Sequence, residues 1–237
     1  MQEPTNTWIK SLKQAINKLQ KTYQVNRGML LTEGDLECHI FNYLMNEKEL
    51  NGYHKSKNDT FSNSGNGSEL KTSFIHSQVT WFKPDKKSGF EVDLTIANPK
   101  NLEVINIELF EEWTSKGFAY DGPCIAIEVK FIRDLKKAKI YGQEDYLKFI
   151  DTLIPAKIKN IEDGRYLNSN MNNIAFVSVV GCKTKEIFDT AKHYLGKHIA
   201  NPDKDSPNNL FPCIFYQDEI IWDKKRLISD YKSYKMK

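Results

Sequence analysis

Apolar positions recur along the chain with two different periods, and each period predicts one type of element. From about residue 7 to 23, and again after Thr32, apolar residues recur at the spacing of an amphipathic helix. In the segments 73–82, 90–97 and 124–132, β-branched and aromatic residues stand between turn-forming residues, which predicts three strands. The first half of the chain is therefore predicted to contain two helices followed by a three-stranded unit.

The second half of the chain predicts a further alternation of helices and strands. A helix over 135–153 leads into an apolar strand over 173–180, so we expect a parallel crossover. A helix over 184–195, a last strand over 213–222 with an Asp/Glu turn at its middle, and a basic tail form a C-terminal extension. The 98–122 segment is too long for a hairpin and is interpreted as an insertion that contains an additional strand over 102–109. The prediction is one α/β domain over 1–237, with a mixed central sheet flanked by helices.

Composition narrows the class of protein. Apolar residues make up 40% and charged residues 27% of the chain, as in ordinary globular proteins, and the net charge of +3 argues against a purely electrostatic nucleic-acid binder. Basic surface is therefore expected only locally, for example at Lys136, Lys137 and Lys139.

The four cysteines form no C-x-x-C pair, which disfavours a zinc site and a disulfide framework. No apolar run of about 18 residues occurs, so we expect a cytoplasmic protein with no membrane span.

Charged residues interrupt two of the predicted strands. Because strand side chains alternate between faces, Asp93 is expected on a polar face opposite the apolar set of 90–97, and Glu128 shares a face with Lys130. Asp93 and Glu128 offer the oxygen ligands that Mg²⁺ prefers, and the backbone carbonyl of Val129 can add another. Lys130 can orient or help deprotonate an attacking water and stabilise charge on phosphorus. The pattern predicts a metal site for phosphodiester hydrolysis.

These motifs resemble a known family. The string Phe90-Glu-Val-Asp93, followed by Ile-Glu-Val-Lys over 127–130 and preceded by an acidic helix, is similar to the PD-(D/E)XK, or restriction-endonuclease-like, nuclease superfamily. The resemblance spans about residues 30 to 181. It implies an αβββαβ core and a magnesium site, with Mn²⁺ as a substitute. The literal Pro84-Asp85 pair has the sequence of a turn, so Asp93 is preferred as the catalytic aspartate.

The resemblance also implies roles for residues on two helices. The superfamily places a glutamate on the helix before the strands, for which we favour Glu33, with Glu37 as the alternative. Gln143 and Tyr146 are similar to the Gln and Tyr that contact substrate in the RecB-like branch, although their spacing is one residue shorter here. We therefore predict that Glu33 is catalytic and that Gln143 and Tyr146 bind substrate.

The resulting functional hypothesis is a magnesium-dependent nuclease. Its expected substrate is DNA, in a restriction, repair or defence role, and the chain is expected to act as a homodimer or with a partner protein. One alternative is a catalytically silent interaction or immunity protein with the same fold. Another is a nuclease directed at RNA, because backbone hydrolysis uses the same ions in both cases.

Overall fold

The computed structural model describes residues 5–55, 71–82, 89–101, 120, 122–154, 174–201 and 207–235. Among these residues, two helices are followed by five strands, after which helices and strands alternate. The helices are α1 (Thr5–Val25), α2 (Glu33–Met45), α3 (Leu135–Lys148), α4 (Lys185–Ile199) and α5 (Lys224–Lys235). The strands are β1 (His54–Lys55), β2 (Lys71–Thr72), β3 (Ile75–Phe82), β4 (Gly89–Ala97), β5 (Cys124–Ile132), β6 (Ile174–Cys182), β7 (Leu210–Phe215) and β8 (Ile220–Ile221). A 3-10 turn (Pro99–Asn101) follows β4, and a π-helical turn (Phe149–Leu153) continues α3.

Six of the strands form one mixed sheet in the order β3-β4-β5-β6-β7-β8. The pairs β3–β4, β4–β5 and β7–β8 are antiparallel, whereas β5–β6 and β6–β7 are parallel. Helix α3 connects the parallel strands β5 and β6, which confirms the predicted crossover. The mixed α/β class with helices around a mixed sheet is therefore confirmed. The turn predicted at the middle of 213–222 divides this segment into two antiparallel strands, and the backbones of Tyr216 and Glu219 hydrogen-bond across it at 3.0 Å.

Both faces of this sheet are buried, because helices cover each of them. On one face, α1 and α2 pack against Ile125, Ile127 and Val129 of β5, and on the other, α3 and α4 pack against Ala126. A strand buried on both faces carries a nearly continuous apolar run. Glu128 and Lys130 share the parity of Ala126, as predicted, and therefore lie on the α3 side of the sheet.

The start of α2 is determined by a capping box. The Thr32 side chain accepts a hydrogen bond from the Asp35 backbone N–H at 3.1 Å, and the Asp35 carboxylate accepts one from the Thr32 N–H at 2.8 Å. Such reciprocal bonds satisfy backbone donors that a helix N-terminus leaves unpaired. Glu33 and Glu37 are one turn apart on α2, so both lie on the side of the helix that faces the sheet.

The predicted insertion over 98–122 is closed at its base. The Tyr120 hydroxyl accepts a hydrogen bond from the Asn98 N–H at 2.9 Å and donates one to the Pro123 carbonyl. The two ends of the segment are thus held together beside β4 and β5. The additional strand predicted over 102–109 lies outside the described residues, as does the Pro84-Asp85 pair. Within the described residues, the helices are all too short or too polar to cross a membrane.

Helix α3 packs closely on α4, and one glycine permits this contact. A Cβ added at Gly142 would lie 2.7 Å from the Ala191 Cβ and 2.8 Å from its Cα. Gly142→Ala should therefore lower the free energy of unfolding by about 1–2 kcal/mol, because overpacking outweighs the gain in helix propensity. Urea denaturation measures the effect. Gly28→Ala is the matched control, because a Cβ there meets nothing within 4 Å, and an equal loss in both variants would contradict the packing explanation.

Candidate functional site

Strands β4 and β5 separate at Asp93 and Glu128, and this place is called the fork below. Strands β4 and β5 are paired over 94–97 and 124–127. Backbone pairing ends at Asp93, the residue just before this paired stretch of β4. Its side chain bonds to β5 instead, because the Asp93 Oδ2 accepts a hydrogen bond from the Val129 N–H at 2.7 Å. Burial raises the pKa of Asp93 above its ordinary value, against the opposing effect of this hydrogen bond. The predicted catalytic aspartate therefore lies where the two strands separate.

The strict alternation predicted for 90–97 is wrong at this position. Val92 packs in the core under α3 and α4, whereas Leu94 packs in the core under α1 and α2. The residue facing Asp93 across the hairpin is Gln78, whose φ of 54° departs from extended geometry. At this change of backbone, residues of the same parity along the hairpin pass from one face of the sheet to the other. Strict alternation therefore fails here, because it assumes an uninterrupted pleat.

Glu128 lies on the α3 side of the fork and is almost fully buried, with 3% of its surface exposed. Its Oε1 forms an ion pair with the Nζ of Lys148 at 2.5 Å, and the same Nζ donates to the Glu91 carbonyl at 3.1 Å. Lys148 thus joins α3 to both strands of the fork. Burial and the negative charge of Asp93 nevertheless raise the pKa of Glu128 to about 8.

A further acid on α3, Asp145, faces the same site. It is 6% exposed, and its Oδ2 has no hydrogen-bond partner among the described residues. Burial raises the pKa of Asp145 to about 7, and the positive charge of Lys130 opposes the shift while Asp93 adds to it. Burial alone would lower the pKa of Lys130, but the charges of Asp145 and Glu33 outweigh it and the pKa is raised. Lys130 is therefore an ammonium held among carboxylates.

Both candidate acids of α2 reach the fork from the other side. Glu33 lies 3.3 Å from the Lys130 Nζ, and its Oε2 accepts a hydrogen bond from the Phe131 N–H at 3.4 Å. Glu37 accepts hydrogen bonds from the Gln78 side-chain amide at 3.3 Å on each of its oxygens. Burial raises the pKa of Glu37, and the charge of Asp93 contributes to the shift. Glu33 is thus the acid in contact with the lysine, and Glu37 is the acid on the Gln78 side of Asp93.

The two predicted substrate-binding residues differ in their surroundings. Gln143 is half-buried, and its Oε1 has no hydrogen-bond partner within the part of the chain that the structure describes. Tyr146 is fully buried in the core under α3 and α4, so its ring packs against the protein instead of facing solvent. The substrate contacts stay predictions, and the burial of Tyr146 gives that residue a structural role.

Sequence reasoning missed two residues of this site, Asp145 and Lys148. With Tyr141 they follow the spacing i, i+4 and i+7, which places all three on one face of α3. The Tyr141 ring lies 5.7 Å from the Lys130 Nζ, so this face looks toward the site. The sequence feature that could have identified them is a set of polar residues at helical spacing on the helix that follows the E-x-K strand.

Asp93 and Glu128 carry the carboxylate oxygens that Mg²⁺ prefers as ligands, but the described side chains do not form a complete set of metal ligands. Among the described residues, no group of three or more His, Cys, Asp or Glu side chains could hold a metal ion. Magnesium is usually bound by one or two carboxylates together with water and substrate phosphates. Asp93 and Glu128 would provide two, and the Oδ2 of Asp145 is a buried oxygen with no hydrogen-bond donor among the described residues. The Val129 N–H points to Asp93, and because N–H and C=O of one strand residue share an edge, its carbonyl faces the fork as well.

Comparisons with family models, curated proteins and solved structures return no match for this chain.

Proposed function

We propose that the chain is a metal-dependent nuclease that hydrolyses phosphodiester bonds, with DNA as the favoured substrate. The observation that carries this proposal is the group of Asp93, Glu128 and Asp145 at the fork, where the negative charge of Asp93 raises the pKa values of both Glu128 and Asp145. Unbalanced buried carboxylates are costly and are usually paired or bound to metal. A divalent cation would balance this negative charge, and it would also give the carboxylates a catalytic role as metal ligands.

The cation would be held by Asp93 and Glu128, with the carbonyl of Val129 as a third oxygen, and Mn²⁺ is expected to substitute for Mg²⁺. When bound, it supplies Lewis-acid polarisation of a phosphodiester oxygen. Lys148 forms an ion pair with Glu128 in the structure, so it balances the charge of that carboxylate when no metal ion is bound. Asp145 keeps Lys130 charged and Glu33 holds it in place.

Lys130 acts as a charged donor in this proposal. Its pKa is raised, so it remains an ammonium at neutral pH and does not accept a proton from water. A half-buried ammonium can orient an attacking water and stabilise the negative charge that develops on phosphorus. Of the two roles expected from sequence, stabilisation of charge is therefore favoured over deprotonation.

The surroundings of the site suit a phosphate polymer. The Tyr141 ring lies between Lys130 and Lys137, with each Nζ within 5.7 Å of its centroid. Lys136 and Lys139, on the same first turns of α3, are exposed. Lysines near an acidic site can contact phosphates without a globally basic protein.

The connectivity around the fork also supports the proposal. Apart from the two short strands β1 and β2 that come after α2, the elements α2, β3, β4, β5, α3 and β6 have the αβββαβ order that the superfamily resemblance implies. The candidate acids are on α2, β4 and β5, which agrees with the order of acids that the resemblance implies. A homodimer or a partner protein is part of the proposal only as the means of addressing both strands of a duplex.

Replacing the lysine tests the chemistry of the site. Lys130→Met keeps the length of the side chain and removes its charge, so cleavage should fall by roughly 100-fold while the protein stays folded. The assay measures cleavage of plasmid, single-stranded DNA and structured RNA by purified protein in Mg²⁺, Mn²⁺ or EDTA.

Lys192→Met is the matched control for this variant. The Lys192 side chain is 19% exposed, against 21% for Lys130, and it too lies beside two acids, Asp189 and Asp230. Cleavage that persists in EDTA, or that falls equally in both variants, would contradict the proposed role. A folded wild type that cuts none of these substrates would favour the silent interaction protein instead.

A further inference from the structure

Gln78 has an unusual backbone at a position that matters for the site. On β3, Ser77 pairs with Leu94 and Val79 with Val92, but Gln78 itself leaves the ladder directly opposite Asp93. Its φ is 54°, which makes it the one non-glycine residue with positive φ among the described residues. A side chain in this region crowds its own backbone, so the conformation is strained.

The side chain of Gln78 has a specific partner. Its amide donates to both carboxylate oxygens of Glu37, at 3.3 Å each, and Gln78 itself is half-buried. Strained residues persist where the surrounding structure holds them, and they concentrate at functional sites. In this case the strain, the break in the ladder and the contact with a site acid all occur at one residue.

The break also coincides with the fork. The hairpin exchanges its faces between Leu94 and Val92, and Asp93 lies between them with its carboxylate on the Val129 N–H. An extended residue 78 would complete the ladder at Asp93 and restore regular alternation along both strands. Asp93 would then be held in the pleat of the hairpin instead of against β5.

We infer that Gln78 is a positioning residue of the site, an inference that rests on the proposed nuclease function for its purpose. Its backbone keeps the hairpin unpaired at Asp93, so that the carboxylate lies against β5. Its amide holds Glu37 toward the same place. Gln78 acts through these two acids and does not touch the reacting atoms.

Three substitutions of Gln78 separate the effect of its backbone from that of its amide. Gln78→Gly keeps access to positive φ and removes the amide, whereas Gln78→Val opposes positive φ because its side chain is β-branched. Gln78→Asn tolerates positive φ but is one methylene too short to reach Glu37 in the same way. Ser77→Gly and Ser77→Val are the matched controls on the exposed neighbouring residue of the same strand, whose φ is not positive.

The first readout is independent of activity. Hydrogen exchange of the Val129 amide, followed by NMR, reports the bond to Asp93. We expect wild-type protection in Gln78→Gly and Gln78→Asn, and exchange that is about tenfold faster or more in Gln78→Val. The second readout is Mn²⁺ binding together with Mg²⁺-dependent cleavage, which we expect to weaken by roughly 10- to 100-fold in the glycine and asparagine variants and to stay unchanged in both Ser77 variants.

The two readouts distinguish the failure of this inference from the failure of the nuclease proposal. Full Val129 protection in Gln78→Val, or wild-type metal binding and cleavage in Gln78→Gly, would overturn the positioning role. If the wild type neither binds Mn²⁺ nor cleaves, the nuclease proposal fails, and Val129 exchange alone then decides whether Gln78 positions Asp93. Should the valine variant not fold, a glycine variant with undiminished metal response still overturns the inference, and a weakened one supports it.

Discussion

Glu128→Gln is expected to lower metal-dependent cleavage by about three orders of magnitude or more and to leave the protein folded. Glutamine keeps the shape of the carboxyl group, and because burial already raises the pKa of Glu128 to about 8, loss of its negative charge should cost the fold little. An uncharged amide cannot replace an anionic oxygen ligand for a hard cation. Cleavage rate, Mn²⁺ binding and thermal unfolding are measured on the same preparation.

Glu47→Gln is a close control for this substitution. Glu47 is also buried, at 6% exposure, and pairs with Lys18 at 2.6 Å, so the same charge is removed from the same kind of pair outside the fork. It should retain wild-type cleavage and metal binding. A similar loss of activity in both variants would indicate a general effect of breaking buried ion pairs, and an active Glu128→Gln would remove this residue from the site.

Local patterns predicted much of the fold because the elements concerned are governed by local rules. The strand over 124–132 has the same bounds in the structure, since a strand buried on both faces must be apolar almost throughout. Helix α2 begins after Thr32, where the helical pattern of the sequence begins, because the Thr32 hydroxyl and the Asp35 carboxylate are the groups that a capped helix start requires. The crossover from β5 to β6 follows from the length of α3 between two strands.

The geometry at Asp93 could not be predicted in the same way. Alternation over 90–97 predicts which residues are apolar, but it does not indicate that the hairpin changes face between Val92 and Leu94. That change depends on the backbone of Gln78, and glutamine is not a residue that marks positive φ in a sequence. Only tertiary contacts, with Glu37 among them, make the conformation favourable.

The structure brings the strand residues of the candidate site together, and it adds residues of α3 that sequence reasoning did not name. Asp93, Glu128 and Lys130 lie at the fork, and Glu33 contacts the lysine. On α3, attention to the motif spacing favoured Tyr146, which is core, over its neighbour Asp145, which faces the site. A motif gives relative positions along the chain, whereas the face that a helix presents is decided by how it packs.

Asp145 has the surroundings of a group kept for function at a cost in stability. The carboxyl group is buried, its Oδ2 has no donor among the described residues, and Lys130 compensates its charge only in part. Its pKa is raised on folding from 3.8 to about 7, so the folded protein binds the proton more tightly than the unfolded chain does. The stability linked to this group is therefore fully present below about pH 4 and is lost as the pH rises through 7.

Asp145→Asn should remove this pH dependence. Each unit of pKa corresponds to about 1.4 kcal/mol, so in EDTA the variant should exceed the wild type in free energy of unfolding by on the order of 2–4 kcal/mol at alkaline pH, with a difference that shrinks toward pH 4. Urea denaturation across this range measures it. The control is Asp189→Asn, an exposed acid on α4 that should change little.

The same variant connects stability with function, because a cation that binds only the folded protein raises its stability. Added Mg²⁺ should therefore stabilise the wild type most at alkaline pH, where Asp145 and Glu128 are ionised, and should stabilise Asp145→Asn less while its cleavage activity falls. A variant that is no more stable than the wild type at alkaline pH would show that the carboxyl group ionises without cost. A variant that is more stable and fully active would instead show that Asp145 serves neither the metal nor Lys130.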